Sequence, residues 1–600
     1  MNRSVSPAAP RTAAPATTAS RRAVRIAVAL TAGALLGLTS ACSSGTHSAT
    51  VPGADLAKVA PAKVRDGGTL RWAVDSLPRT LNAYQSDADQ DTTTIADATL
   101  PQMFTLDQHG TPHADADFVT KAEVTATEPR QVVTYTLNPK ARWSDGRAVG
   151  VADFAAQWKA LNGRNSAYWT AGAAGYDRIS AVAAGKEAHQ VQVTFATPYA
   201  DWRSLFSPLY PKAVTADPDA FNDGARTKLP AVAGPFAVRA VDAKAGTVTL
   251  TRNGAWWGER PKLDTIVLTA VPRAQRAAQL AAGKLDVAEV DPGALPAVRR
   301  TAGVAVHTAP AAAYAQLAIN GTSPSLTDER VRHAVARAID RKAIAKAVLG
   351  PLGLPDEPLG NHLVLPSQQG YADHSSALGD QDVEQAQALL ADAGWQRSTA
   401  KTGEKAAGNG DTSAAGALTV VEPARAVTKS GKQLTLRMVL PADSPTLDDV
   451  GGRIARMLSG IGVRTEISKV KDDSYFQDHI ASGDFDLALY SWPGTAYPAT
   501  DDMPIFAKPV PAPDGSLSVA QNYSRVGTDQ IDQLLNRAGA ELDASAARDL
   551  TAQADSRIWA AAGSIPLYQR PEVVAQRTTV ANAGAFGFQT PDFTTLGFTK

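Results

Sequence analysis

One cysteine, Cys42, stands in a chain of 600 residues. A lone thiol closes no intramolecular disulfide, and with 9 scattered His it starts no tetrahedral metal site, which needs several converging N or S ligands. An excess of one charge is also missing. The 59 basic residues balance 59 acidic ones, so no basic field draws in a phosphate backbone and nucleic acid is not an expected partner. After Ala41 no apolar run approaches the ~20 residues that a spanning helix needs. Catalytic signatures are lacking too. No G-x-S-x-G elbow, H-E-x-x-H pair, G-x-x-x-x-G-K-[ST] loop or G-x-G-x-x-G turn occurs, so no enzyme, cofactor or metal is expected. The run Asp87, Asp89, Asp91 starts like a calcium loop. It then places Thr92 where the sharp turn needs Gly and Ala98 where a bidentate Glu is required.

What the chain does have begins at its N-terminus. Arg21, Arg22 and Arg25 precede an uncharged apolar stretch from Ile26 to Ala41, the pattern of a secretory signal, here assigned to residues 1–41. The export route, general secretory or twin-arginine, stays open. Leu38, Ser40, Ala41 and Cys42 resemble a bacterial lipobox, which implies that Cys42 carries a diacylglyceryl thioether. Two acyl chains anchor far better than one. The expectation is an exported protein, lipid-anchored on the outer face of the cell membrane. Residues 42–66, rich in Ser, Ala, Pro and Gly, read as a flexible tether.

The remaining body exceeds the ~250–300 residues at which single cores stop growing, so at least two lobes are expected. Apolar residues alternate in "VVTYTL", "VQVTF", "TVTLTRN" and "LTLRMVL", the period-2 signature of half-buried strands. Helical stripes lie between them. Val331, Val335, Ala338 and Ile339 share one face, Asp340 is placed to cap the next helix, and Asp382 to cap a helix ending at Gly394. The class is α/β. Residues 396–432, with little pattern, read as a disordered surface insertion.

Several stretches in order, among them "GGTLRWAVDSLPRTLNAY" (67–84), "YTLNPKARWSDGRAVGVADFAAQW" (135–158), "AGPFAVRAVDAKAGTVTLTRNGAWWGERPKLDTIVL" (233–268), "LTDERVRHAVARAIDRKAIAKAVLG" (326–350) and "GDFDLALYSWPG" (483–494), resemble the family 5 extracellular solute-binding proteins, the oligopeptide, dipeptide and nickel receptors of ABC importers. The resemblance implies the two-lobe periplasmic-binding-protein fold of type II, hinged around a ligand. Lobe I then takes 67–108, 232–310 and 565–600, an extra subdomain 109–231, and lobe II 311–564. It implies a monomer that binds a peptide or other small molecule and delivers it to ABC permease subunits with a separate ATPase.

Peptide receptors of this kind carry a W-x-x-D segment whose aspartate pairs with the peptide's α-ammonium group. The matching segment is "SWPGTAYP", with Trp492 present and Thr495 in the aspartate's place. A hydroxyl bonds about half as strongly as a charge-assisted partner. Asp501 or Asp502 can supply the charge, or can serve as acidic residues at a helix start. Trp492, Thr495, Tyr497, Asn522, Tyr523, Leu81 and Asn82 are the candidate ligand-binding residues. Aromatics at such positions also suit apolar or sugar faces. The segments "DFAAQWKALNGRNSAYWTAGAAGYDRI" and "PYADWRSLFSPLYPKAV" look similar to an actinobacterial lipoprotein subgroup with a mycobacterial member connected with phosphatidylinositol mannoside and lipoarabinomannan assembly. This implies an alternative without transport, a lipoprotein that regulates or binds cell-envelope glycolipid.

Overall fold

The computed structural model describes residues 53–172, 174–398, 418–442, 444–471, 475–513 and 515–600. The signal segment and Cys42 lie outside the described residues, as does 399–417 of the expected insertion.

An eleven-stranded mixed sheet organises the body. Its order runs Phe236–Asp242, Thr247–Arg252, Thr265–Ala270, Thr69–Val74, Val287–Glu289, Ser564–Arg577, Val304–Ile319, Leu487–Pro493, Thr435–Pro441, Arg464–Val470, Thr419–Val421. The expected alternation is present: Val248 and Leu250 are buried while their neighbours in the strand are half-exposed, and Leu434, Leu436 and Met438 alternate likewise. Each fully buried side chain of this size contributes about 1.5–3 kcal/mol.

Two long strands, Val304–Ile319 and Ser564–Arg577, run through the middle and belong to both halves of the sheet. Their antiparallel ladder holds from Val304 opposite Arg577 to Pro310 opposite Pro571, then breaks and resumes at Tyr314 opposite Gln569. Proline has no N–H to give a ladder, so two facing prolines end it. The halves on either side have separate cores, one around Leu70, Ile266 and Val287, the other around Val335, Leu436, Ile454 and Leu489.

A separate four-stranded antiparallel sheet, ordered Val119–Ala126, Val132–Leu137, Gln190–Phe195, Ile179–Ala184, packs on its own aromatic core. Here the stretch "RWSDGRAVGVADF" gains a physical reason. Gly146 turns the chain at φ +87°, and the buried Asp153 carboxylate accepts from Trp143 Nε1 at 3.2 Å, from both Arg147 Nη atoms at 2.9 Å, from Gly150 N at 3.1 Å and from Lys212 N at 2.9 Å. An ionised carboxylate is tolerated at zero exposure only when saturated in this way.

The helices start where the sequence places them: Asp340 accepts from Ala343 N at 2.8 Å and Asp382 from Gln385 N at 2.8 Å. Two expectations need correction. The tether is docked over its last part, because Asp55–Leu56 pairs with Gly584–Ala585 and Val64–Arg65 with Phe598–Thr599, so the C-terminal strands satisfy its backbone. The insertion is structured at both ends. Gln396–Arg397 pairs with Val427–Lys429, where Val427 is buried, and Thr419–Val421 extends the edge of the large sheet along Arg464–Val470. Among the described residues no helix is long and apolar enough to cross a membrane.

Candidate functional site

The crossing of the two long strands floors a cavity of about 1120 Å³. Ala311, Ala312 and Ala313, the residues that break the ladder, contribute small side chains to it. This is a volume in the range of ligand clefts.

One wall is built by the end of the strand Leu487–Pro493 and the segment after it. Trp492 lies nearly parallel on Tyr523, with ring centroids 5.7 Å apart and planes at 9°, and meets the edge of Tyr490 at 5.7 Å. Beyond it the chain folds back on itself. The Thr495 hydroxyl donates to Asp501 Oδ2 at 2.5 Å while its oxygen accepts from Tyr497 N at 3.0 Å, and Gln368 Nε2 donates to the Thr495 carbonyl at 2.7 Å. Trp492, Thr495, Tyr497 and Asp501 all line the cavity. Burial raises the Asp501 pKa, and the Thr495 hydrogen bond opposes that rise. Asp502 lies deeper and is pushed well up by burial and by the charge of Asp501; it does not line the cavity.

The facing wall carries an ion-pair network. Arg273 clamps Asp75 at 2.8 and 3.1 Å and Glu289 at 2.7 and 3.0 Å, Arg276 adds a further bond to Asp75, and Arg570 approaches Glu289 at 3.7 Å. Burial works to raise the Asp75 pKa, but the two arginines hold it below its ordinary value. Glu572 is different. Burial lifts it to about 7 against the donation of Gly587 N at 2.8 Å. A helix, Gln90–Thr99, presents Gln90, Thr93, Thr94 and Asp97 to the cavity, residues spaced i, i+3, i+4, i+7 on one face. Its N-terminus accounts for the calcium-like run: Asp89 caps it by accepting from Thr92 N at 2.8 Å, Asp91 accepts from Ser76 N at 2.9 Å, and Asp87 pairs with Arg226 at 2.8 Å. Among the described residues no group of three or more His, Cys, Asp or Glu is arranged to hold a metal ion.

Four candidates do not line the cavity. Tyr523 stacks behind Trp492 and meets Phe476 edge to face at 5.2 Å. Leu81 is core, its carbonyl held by the Tyr210 hydroxyl at 2.7 Å. Asn82 is wholly buried, with Nδ2 donating to Phe221 O at 3.0 Å and Oδ1 accepting from Tyr84 N at 3.2 Å, so it positions Tyr84, which does line the cavity. Asn522 ties its own turn by donating to Ala507 O at 2.7 Å and Val526 O at 2.9 Å, and so carries Tyr523 to its place under Trp492. In both asparagines a buried amide serves backbone groups that would otherwise be unpaired. Nothing in the local sequence pattern marks the Asp75, Arg273, Glu289 and Arg570 network, because its partners are far apart in the chain, Arg273 lying 198 residues from Asp75 and Arg570 farther still from Glu289.

Two α/β halves joined by a pair of crossing strands, with a cavity at the crossing, define a two-lobe binding protein of the periplasmic type. Residues 119–513 match the bacterial extracellular solute-binding proteins, family 5, and the chain belongs to that family. It is 34% identical over 579 residues to the oligopeptide-binding protein OppA of Mycobacterium tuberculosis, covering 94% of this chain and 92% of that one. It is 26% identical over 484 residues to the probable monoacyl phosphatidylinositol tetramannoside-binding protein LpqW of the same species, covering 78% and 74%. The solved structure of the periplasmic EDTA-binding protein EppA superposes with a TM-score of 0.79 at 23% identity, over 91% of this chain and 98% of that one, and shares the fold. These relatives carry the names of binding proteins.

Proposed function

We propose that this chain is the receptor of an ABC importer and binds a peptide with a free α-ammonium group in the cavity between its lobes. The observation that carries the reading is the Asp501 carboxylate, turned to the cavity beside Trp492 and held by Thr495. The short fold-back from 495 to 501 returns to the site the negative charge that Thr495 itself lacks. The cavity wall supports the reading in sign. Asp75, Asp91, Asp97, Glu289, Asp501 and Glu572 face only Arg273, Arg276 and Arg570, an acidic surplus that favours a ligand with cationic groups. OppA, the relative at 34% identity, is named for oligopeptides.

Pro310 and Pro571 serve as the hinge, with lobe I formed by 67–108, 232–310 and the C-terminal stretch, the extra subdomain by 109–231, and lobe II by 311–564. Closure about that hinge buries the ligand, and the closed form docks on a permease with its own ATPase. Cys42 carries the acyl anchor on the outer face of the membrane. Cys42→Ala removes it: the variant is expected to lose incorporation of labelled palmitate and to move from the membrane pellet to the soluble fraction. A variant that stays in the pellet would exclude Cys42 as the anchor.

A second reading, glycolipid binding as in the name of LpqW, is favoured by the cavity-lining Trp492 ring, backed by the parallel Tyr523, as an aromatic surface for a sugar. The acidic surplus opposes it, because a phosphatidylinositol lipid brings a phosphodiester anion. Native mass spectrometry of the full chain purified from its source organism separates the two. A released peptide is expected; a mannosylated lipid would transfer the function to the second reading.

A further inference from the structure

Six carboxylates line the cavity, and five have partners. Asp75 and Glu289 are clamped by arginines, Asp91 accepts from Ser76 N, Asp501 from Thr495 and Glu572 from Gly587 N. The sixth is Asp97. Its side chain makes no hydrogen bond or ion pair among the described residues, although it sits deep enough that burial alone raises its pKa to about 7. A carboxylate left unpartnered in this way costs stability, and it faces the cavity rather than bulk solvent.

The cavity that Asp97 lines is lined also by Ala83, Tyr84, Ala174, Tyr176 and Leu205, which supply apolar and aromatic surface. These elements are fixed to one another: Ala171 N donates to Tyr84 O at 2.9 Å, Tyr84 and Tyr210 meet edge to face at 5.9 Å, and Tyr210 lies within the field of Asp97. The polar groups nearby are already used. The Tyr84 hydroxyl donates to Pro208 O at 2.8 Å, the Tyr210 hydroxyl donates to Leu81 O at 2.7 Å, and the Thr94 hydroxyl bonds to Gln90 O at 3.2 Å. The titratable neighbours are the phenols of Tyr84, Tyr176 and Tyr210, all pushed up by burial and therefore neutral at physiological pH. Among the described residues no arginine or lysine forms an ion pair with Asp97, so a counter-charge can come with the ligand.

We propose that the part of the cavity around Asp97 is a specificity pocket for a cationic side chain of the bound peptide, selecting ligands that carry lysine or arginine. The aliphatic stem of such a residue lies along Ala83, Tyr84 and Leu205 while its charged head meets the Asp97 carboxylate, the division between apolar body and charged tip that long basic side chains favour. A guanidinium gains in addition from the face of Tyr84. The pocket lies on a different element from Asp501, so one ligand presents its α-ammonium group to one wall and a basic side chain to the other. This inference rests on the peptide reading of the cavity.

The test is peptide capture. The full chain, extracted in detergent and immobilised, is exposed to a randomised mixture of free-amine tri- to pentapeptides, and the bound fraction is sequenced by mass spectrometry. The expected result is enrichment of Lys and Arg at one peptide position by about tenfold over Leu, in line with a charge-assisted bond in an enclosed site. Asp97→Asn should abolish that enrichment and Asp97→Glu should retain it. Captured peptides without basic enrichment, or an enrichment that persists in Asp97→Asn, would overturn the pocket while leaving the peptide reading in place. Capture of no peptide by the unmodified chain would overturn the peptide reading, and the pocket with it.

Discussion

Asp501→Asn is expected to lower affinity for a free-amine peptide roughly ten- to hundredfold, the equivalent of losing one charge-assisted hydrogen bond. The substitution is nearly isosteric, and Asn retains a carbonyl oxygen for the Thr495 hydroxyl, so the fold-back from 495 to 501 keeps its geometry. What disappears is the charge. The diagnostic comparison is therefore between a peptide and its N-acetylated copy, measured calorimetrically on both proteins. The unmodified chain should discriminate against the acetylated peptide by that factor, and Asp501→Asn should bind the two alike. Equal binding of both peptides by the unmodified chain would remove Asp501 from the site. Thr495→Val offers a milder variant: it deletes the bond that opposes the burial-driven rise of the Asp501 pKa, so amine binding should weaken most at the acid end of the pH range.

The second large effect concerns a buried triad behind the cavity wall. Asp555, wholly buried, accepts at 2.8 Å from His362 Nδ1 and from the His362 backbone N–H through one oxygen, and at 2.8 Å from His374 Nδ1 through the other. His362 Nε2 lies 3.0 Å from the Ser564 carbonyl, at the start of one of the two crossing strands. Both ring nitrogens of His362 face oxygen atoms, so the ring is held from both sides. Removing one partner of such a set leaves the others buried and unpaired. Asp555→Ala should lower the unfolding free energy by about 3–5 kcal/mol, and Asp555→Asn by less because an acceptor remains. Urea titration checks this, and a loss below about 1 kcal/mol would show that the triad carries little stability.

The same triad sets a pH window. Burial works against the charged Asp555, but His362 and His374 hold its pKa below the ordinary carboxylate value, so its contribution is present above about 3.9 and is lost as pH falls through the lowered value. His374 is raised by its bond to Asp555, so its contribution is complete below about 6.5 and is lost as pH rises through the raised value. The triad therefore stabilises most between those limits. The loop that it pins also carries Gln368, which holds the Thr495 carbonyl at 2.7 Å, so loosening the triad should reach the binding wall as well.

Local pattern made much of this molecule legible. The alternation of Val191, Val193 and Phe195 identified a strand and its buried face, and Asp340 and Asp382 marked helix starts, because side-chain period and N-cap chemistry act over only a few residues. The candidate wall was legible in part, with Trp492, Thr495 and Tyr497 drawn from the family resemblance. Leu81, Asn82, Asn522 and Tyr523 were not separable from lining residues, since a side chain that packs or braces a neighbour and one that meets a ligand look alike in one dimension. The tether failed for a related reason. Residues 55–65 have weak pattern and acquire order from strands more than 500 residues away, near 584 and 598.

By itself, then, the sequence determined which segments are strands and helices, which of their faces are apolar and to which family the chain belongs, all of which depend on short-range periodicity and on the order of motifs. Tertiary structure alone decided that Pro310 faces Pro571, that Thr495 reaches Asp501, that Asp555 gathers His362 and His374, and that Asp97 has no partner among the described residues. Those outcomes depend on which charges and hydrogen-bonding groups meet in three dimensions, most of them across long stretches of chain and one, Thr495 with Asp501, through a local fold-back that residue periodicity does not encode. Burial then strengthens the meetings that are satisfied and raises the cost of a buried group that is not.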